Sequence, residues 1–143
     1  MYLLDVNVLV YAHKTGTDRH REYRRWLQTT VEEASPFGLS ELVCSGFVRV
    51  ATHPRIFDTP SSLEEAFGFI AALRSRPNCL PMRPGPRHWG IFEACCRQGR
   101  VRGSLVADAY HAALAIETGS TWITTDAGFA RFPGLDWRHP LDG

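Results

Sequence analysis

Short runs of apolar residues alternate along the chain with longer segments in which apolar residues recur every three or four positions. The short runs predict strands over residues 2–5, 36–39, 79–82, 121–125 and 135–138. The longer segments carry a helical repeat and predict helices over residues 7–13, 18–33, 41–53, 63–73, 86–98 and 104–118. Strands that alternate with helices favour a parallel sheet covered on both faces, and hence a three-layer α/β fold.

Several helix boundaries carry recognisable capping residues. Ser40 and Ser62 stand at N-cap positions, and Glu65 completes a capping box with Ser62. Gly99 and Gly119 follow the last apolar positions of two helices, as helix-ending glycines do. The apolar helix positions expected to face the core are Leu42, Val43, Phe47 and Val50, then Leu63, Ala66, Phe67, Ile70 and Leu73, and finally Trp89, Phe92 and Cys96.

The composition narrows the class of protein. The length of 143 residues suits one domain, residues 1–143, and the 44% hydrophobic and 22% charged content is that of a globular chain. A net charge of +1 argues against a uniformly basic nucleic-acid binder. No apolar run has the length of a membrane span and no signal peptide precedes the first strand, so we expect a cytoplasmic protein with no membrane contact.

Four acidic residues occupy strand ends or helix starts. Asp5 ends the first strand, and Glu41 begins the helix after the second. Asp108 lies in the first turns of an alanine-rich helix, and Asp126 follows the fourth strand. Each alone has an ordinary explanation as a cap or a turn residue. In a parallel sheet, however, the carboxyl ends of the strands meet at one edge, where four carboxylates would repel one another unless a divalent cation neutralised them.

Oxygen-only ligands suit Mg²⁺ or Mn²⁺, and such ions usually serve phosphate chemistry. Hydrolysis of a phosphodiester then needs no nucleophilic side chain, and we expect it to leave a 5′-phosphate and a 3′-hydroxyl. A phosphotransfer enzyme or receiver domain would need a lysine near the phosphoryl oxygens, and Lys14, the only lysine, lies too early in the chain. Glycine-rich nucleotide-binding loops are missing from the sequence as well.

Five stretches together resemble one known family. LLDVNVLVYA, RVATHPRIF, RHW, SLVADAYHAALAIETG and TTDAGFARFPGL, with an internal Glu41, are similar to the PIN-domain ribonuclease toxins of bacterial type II toxin–antitoxin systems, the VapC-like group. The resemblance covers nearly the whole chain. It implies a PIN-like, Rossmann-like sheet and an endoribonuclease dependent on one or two Mg²⁺ or Mn²⁺ ions. It also implies an RNA substrate, a homodimer and a small cognate antitoxin that blocks the acidic site.

The resemblance also assigns the site residues. Its catalytic and metal-binding acids are matched by Asp5, Glu41, Asp108 and Asp126, and its supporting polar positions by Asn7 and Thr124. Two departures are notable: Gly128 stands where many relatives carry a further acid, and Ser104 stands where many carry Asn. The missing acid leaves a second metal position open.

Three arginines are expected near the site, and two other functions stay open. Arg97, Arg100 and Arg102 lie in the segment just before the Asp108 helix, where they could contact RNA phosphates.

His111, one helical turn after Asp108, is more often a structural residue at such a position than a catalytic one. A non-catalytic PIN-fold module that binds RNA or a partner, and a DNA nuclease of the wider PIN and flap-nuclease group, remain alternatives.

Overall fold

Five parallel strands form one sheet in the computed structural model, which describes residues 1–142. The strands are β1 (Tyr2–Leu4), β2 (Phe37–Ser40), β3 (Cys79–Met82), β4 (Thr121–Ile123) and β5 (Trp137–Arg138). Their order across the sheet is β3-β2-β1-β4-β5, and every neighbouring pair is parallel. In the central strand, Leu3 lies opposite Gly38 on one side and Trp122 on the other. The predicted α/β fold with a parallel sheet is confirmed.

Within residues 1–142, six α-helices connect the strands. They are α1 (Val6–His13), α2 (His20–Glu32), α3 (Glu41–Ala51), α4 (Leu63–Arg74), α5 (His88–Gly99) and α6 (Val106–Thr118). Short 3-10 helices at Gly103–Leu105 and Ala127–Arg131 precede α6 and follow β4. The predicted capping box is present in α4, where Ser62 and Glu65 bond each other's backbone N–H groups at 3.0 Å. Among residues 1–142, no helix combines the length and apolarity needed to cross a membrane.

The core lies between the sheet and its helices, and alanines bring α6 close to the strands. Ala109, Ala112 and Ala113 are fully buried, and so are Leu3 and Leu4 of the central strand. Small side chains at spacings of three and four residues give a helix a flat face that packs closely on a sheet. Asp108, in the first turn of α6, is therefore held on a rigid element, which fixes the direction of its carboxylate.

Four apolar side chains predicted to face the core are instead exposed. Leu42, Leu63, Phe67 and Trp89 are 46%, 61%, 58% and 70% exposed. In α5, His88 and Cys95 are buried and lie two turns apart on one face. Trp89 follows His88 and is therefore rotated by about 100° away from that face. In α4 the buried face is Ala66, Ile70 and Leu73, and the neighbouring positions turn outward.

The topology singles out one end of the sheet for ligand binding. The connection from β1 leads to β2 on one side, whereas the chain returns from β3 to β4 on the other side of β1. Ligands in open α/β sheets bind at such a reversal, outside the carboxyl ends of the strands. Here the reversal lies between β1 and β4, where Asp5 and Thr124 directly follow the two strands.

Candidate active site

Asp5 is a buried carboxylate at the end of β1. Its side chain caps α1, since the Val6 N–H donates to Oδ1 at 2.7 Å. The Thr124 hydroxyl donates to Oδ2 at 2.7 Å, and the Asn7 amide donates to the same oxygen at 3.2 Å. A carboxylate offers about four lone-pair positions, so these three donors leave about one for a further ligand. Asp5 can therefore cap α1 and also bind a divalent cation, because the capping hydrogen bond leaves part of its oxygen lone pairs free.

Asn7 and Thr124 connect the ends of β1 and β4. The Asn7 side-chain oxygen accepts a 3.1 Å hydrogen bond from the Thr125 N–H, and its amide lies 3.3 Å from the Thr124 hydroxyl. The Thr124 oxygen in turn accepts the Asp126 N–H at 3.0 Å. This network fixes the segment that carries Asp126 against the segment that carries Asp5.

Asp126 lies at the mouth of the site and is exposed. Its Oδ1 accepts the Gly128 N–H at 2.8 Å and so caps the following 3-10 helix. A Cβ at position 128 would lie 2.9 Å from that same oxygen, a distance that side chains essentially never adopt. Gly128, which departs from the family pattern, therefore leaves the space that the Asp126 carboxylate occupies.

Asp5, Asp108 and Asp126 line a single open cavity of about 540 Å³. Asp108 is half-buried and enters from the first turn of α6. Ser104, one of the predicted departures, lines the cavity just before that helix. Three of the four predicted acids therefore share one space at the switch point of the sheet.

The three charges act on one another. Burial, together with the smaller effect of the Asp108 and Asp126 charges, raises the pKa of Asp5 to about 6, against the lowering effects of the Thr124 and Val6 hydrogen bonds. Burial also raises the pKa of Asp108, and so does the charge of Asp126, while Arg131 lowers it. Such a site favours a cation, because a cation removes both the repulsion and the cost of desolvation.

The donor set fits a hard divalent ion. All three acids offer carboxylate oxygens, which Mg²⁺ and Mn²⁺ prefer, and no thiol lines the cavity. Within residues 1–142, no three acidic, histidine or cysteine side chains already stand at metal-binding spacing. The carboxylates line the space without converging on one point, as expected of mutually repelling anions.

Glu41 lies outside this cavity. It is the first residue of α3, capped by the Ser40 hydroxyl, and its side chain is exposed. It lines a separate cavity of about 100 Å³ together with Cys44, Arg74 and Cys79. The structure therefore separates Glu41 from the other predicted acids, and its role as a metal ligand stays a prediction.

The three predicted arginines also lie outside the cavity. Arg97 forms an exposed ion pair with Glu93 at 3.1 Å, and neither Arg100 nor Arg102 lines the acidic space. The cations that approach it are Arg49, which lines it from the last turn of α3, and Arg131, whose charge acts on Asp108. Sequence reasoning missed Arg49, although the residue opens the RVATHPRIF motif.

His111 lines the cavity as a neutral side chain. It is buried and stacks on Trp122 at a ring distance of 5.2 Å. Burial lowers its pKa to about 4. Its imidazole is therefore uncharged near neutral pH and does not neutralise the carboxylates.

The family assignment rests on matches that extend over most of the chain. The sequence model of the PIN domain matches residues 2–135. The chain belongs to the PIN-domain family. It is 43% identical to "Ribonuclease VapC43" of Mycobacterium tuberculosis (strain ATCC 25618 / H37Rv) over 143 residues, which cover 100% of this chain and 97% of the relative. It is 39% identical to "Ribonuclease VapC31" of the same strain over 135 residues, with 94% and 95% covered. The resemblance to the VapC group is confirmed.

Two of the solved structures that share this fold illustrate the likeness. The chain matches VapBC2 from Rickettsia felis, bound to a DNA fragment from its promoter, with a TM-score of 0.68 and 18% identity over 96% of this chain and 97% of the other. It matches VapBC-1 from nontypeable Haemophilus influenzae with a TM-score of 0.67 and 20% identity over 99% and 98%. At such identities the likeness shows the PIN fold alone.

Proposed function

We propose that this chain is the toxin component of a type II toxin–antitoxin system and acts as a Mg²⁺- or Mn²⁺-dependent endoribonuclease. The observation that carries the proposal is the cavity shared by Asp5, Asp108 and Asp126, at the switch point of a PIN-domain sheet. Full-length similarity to proteins named VapC ribonucleases supports RNA as the substrate.

The proposed metal ligands are the three carboxylates of the cavity, for one or two ions. A bound divalent ion would polarise a phosphoryl oxygen and lower the pKa of water. Thr124 and Asn7 orient Asp5 through the hydrogen bonds described above, so their role is positioning. The position of Glu41, in a separate cavity, gives no support for a fourth ligand.

The residues that line the cavity bear on the nature of the nucleophile. No cysteine or lysine lines the cavity, and the ring of His111 is buried against Trp122, so we infer that water is the nucleophile at this place. We expect water to attack the phosphorus and the 3′-oxygen to leave, which gives a 5′-phosphate and a 3′-hydroxyl on the cleaved RNA. An RNA substrate would place the activity in the cytoplasm.

Partners are proposed on the same basis. Solved structures that share this fold include VapBC2 and VapBC-1, which supports a small antitoxin as a partner of this chain. The exposed Leu63 and Phe67 on α4 and Trp89 on α5 are large apolar side chains that a protein partner or a second copy would cover. We propose a homodimer, which light scattering of the purified protein would measure directly.

Cleavage of purified total RNA tests the activity. Wild type is incubated with Mg²⁺, Mn²⁺ or EDTA beside Asp5→Asn and Asp108→Asn, and Asp18→Asn serves as the matched control because Asp18 is exposed and lines no described cavity. We expect discrete cuts with 5′-phosphate ends in wild type and Asp18→Asn only, and none in EDTA.

Three other results would replace the proposal. Cleavage that persists in EDTA would exclude metal dependence. Cleavage of DNA in place of RNA would favour a DNA nuclease. Neither cleavage nor Mn²⁺ binding by antitoxin-free protein would favour the non-catalytic binding module.

A further inference from the structure

The RVATHPRIF segment, residues 49–57, reaches the acidic cavity with both of its ends. Arg49 at its start and Ile56 and Phe57 at its end all line the space that holds the three carboxylates. We propose that these three residues form a subsite for the unpaired nucleotide next to the scissile phosphate. Arg49 binds a backbone phosphate there, and Phe57 stacks on the base. This inference rests on the proposed ribonuclease function.

The loop that carries Ile56 and Phe57 is held in one shape. The N–H groups of both residues donate to the His53 carbonyl at 3.1 Å, and the Ser61 N–H donates to the Ala51 carbonyl at 2.9 Å. These bonds close the loop at its tip and at its base. A platform held in this way loses little conformational entropy when a ligand binds.

Lys14 supports the same loop from the other side. Its ammonium donates to the Thr59 carbonyl at 2.7 Å and lies 4.9 Å from the centre of the Phe57 ring. Phe57 also lines a second open cavity of about 650 Å³, which contains Lys14 and Thr17. Because Thr17, Ile56 and Phe57 line both cavities, the two spaces adjoin along a common wall. A single strand placed over the carboxylates thus continues past Phe57 into the second cavity.

The charges at this wall suit a polyanion. Arg49 is exposed and forms no ion pair or side-chain hydrogen bond within residues 1–142, so its guanidinium is available to a ligand. RNA beside three carboxylates needs cations near its flanking phosphates, and a guanidinium binds a phosphate through two parallel hydrogen bonds. Arg49 meets this need from within the cavity, unlike the three arginines before α6.

The apolar surface at this wall suits a base. Ile56 is 52% exposed beside the half-buried Phe57, in a cavity that Val6, Val10 and Phe129 also line. Proteins that bind single strands stack bases on aromatic side chains at about 1–3 kcal/mol per base. A base-paired nucleotide does not offer its face in this way. The subsite therefore selects unpaired RNA.

Binding is measured separately from cleavage to test the subsite. The probes are a fluorescein-labelled single-stranded RNA of 12 mixed nucleotides and the same sequence in a duplex. All variants carry Asp108→Asn so that the RNA stays intact. We expect Phe57→Ala and Arg49→Gln each to weaken single-strand binding by roughly tenfold to a hundredfold, and Phe57→Tyr to retain it. Arg49→Gln also reduces the slope of log affinity against log salt by about 0.7, whereas Phe57→Ala does not.

Two matched controls lie close by. Arg55→Gln removes an exposed arginine from the same loop, and Leu42→Ala removes an exposed apolar side chain from α3; neither residue lines either cavity. Equal losses in these controls, unchanged binding in the test variants, or full binding by Phe57→Leu would overturn the subsite. Binding of the duplex as tight as that of the single strand would overturn it as well.

The two proposals fail in distinguishable ways. If substitution of Arg49 and Phe57 leaves RNA cleavage at the wild-type rate, the ribonuclease proposal holds and the subsite is excluded. Selective single-strand binding by a wild type that does not cleave would leave an RNA-binding surface and remove the ribonuclease. Thermal unfolding of every variant identifies any that bind poorly because they are unfolded.

Discussion

The Thr124 hydroxyl donates a 2.7 Å hydrogen bond to the Asp5 carboxylate, although 119 positions separate the two residues. The bond joins the ends of β1 and β4, on the two sides of the switch point. It lowers the pKa of Asp5, in opposition to burial, and so favours the ionised form that a metal would bind. The same oxygen accepts the Asp126 N–H, so one hydroxyl serves two of the three acids.

Removal of this hydroxyl is expected to weaken metal binding. In Thr124→Val the pKa of Asp5 rises further, and the lost hydrogen bond to a charged group costs about 1.5–3 kcal/mol. Calorimetric titration with Mn²⁺ as a function of pH measures the effect. We expect half-maximal affinity at a higher pH than in wild type, and Thr124→Ser as control stays close to wild type. A Thr124→Val protein with an unshifted pH profile would contradict the positioning role.

The metal-free protein is expected to be more stable without the Asp5 charge. Burial raises the pKa of Asp5 from 3.8 to about 6, so the native state binds this proton more tightly than the unfolded state does. The resulting stabilisation is fully present below pH 3.8 and is lost as the pH rises through about 6. At 1.36 kcal/mol per pH unit, the loss amounts to about 3 kcal/mol.

Asp5→Asn isolates this contribution. In EDTA at pH 7.5, urea unfolding is expected to give a higher free energy of unfolding than wild type, by up to about 3 kcal/mol. At pH 4.5 the gain shrinks, because the wild-type carboxyl is then largely protonated in the native state. An equal gain at both pH values would show that the buried charge is not the cause. Asp18→Asn, at an exposed site, is expected to change little at either pH.

Glycine at position 128 is expected to be required for the position of Asp126. In Gly128→Ala the new methyl group would meet Asp126 Oδ1 at 2.9 Å, and the carboxylate would have to turn away. We expect a roughly tenfold loss of Mn²⁺ affinity with a small change in thermal stability. Gly134→Ala is the control, because its Cβ would make an ordinary 3.7 Å contact with Ile116. Unchanged Mn²⁺ affinity in Gly128→Ala would remove Asp126 from the proposed ligands.

Periodicity could predict the sheet and helices, because apolar spacing reports directly on burial. It could also predict that strand-end acids meet, because parallel strands share a carboxyl edge. Periodicity could not give the rotation of each helix about its axis. The prediction that Trp89 faces the core was therefore wrong, and the neighbouring His88 is the buried residue. Nor could periodicity show that a motif crossing from α3 into a loop returns to the site, as Arg49 and Phe57 do.

Glu41 shows the same difficulty at the site itself. Position alone, at the helix start after β2, predicts that it joins the other acids. A helix start lies near the sheet edge, but the side chain of its first residue can project to either side of the strand before it. In the structure it lies beside Cys44 and Arg74, in a cavity separate from that of Asp5.

A comparison of Glu41→Gln with Asp126→Asn tests which of the two carboxylates contributes to metal binding in solution. We expect Glu41→Gln to change Mn²⁺ affinity less than threefold, whereas Asp126→Asn lowers it at least tenfold, because only Asp126 shares the cavity with Asp5 and Asp108. Calorimetry at pH 7.5 measures both, and cleavage of total RNA follows the same order. A loss in Glu41→Gln as large as that in Asp126→Asn would mean that α3 turns its first residue into the acidic cavity when the metal binds, and the ligand set would then number four.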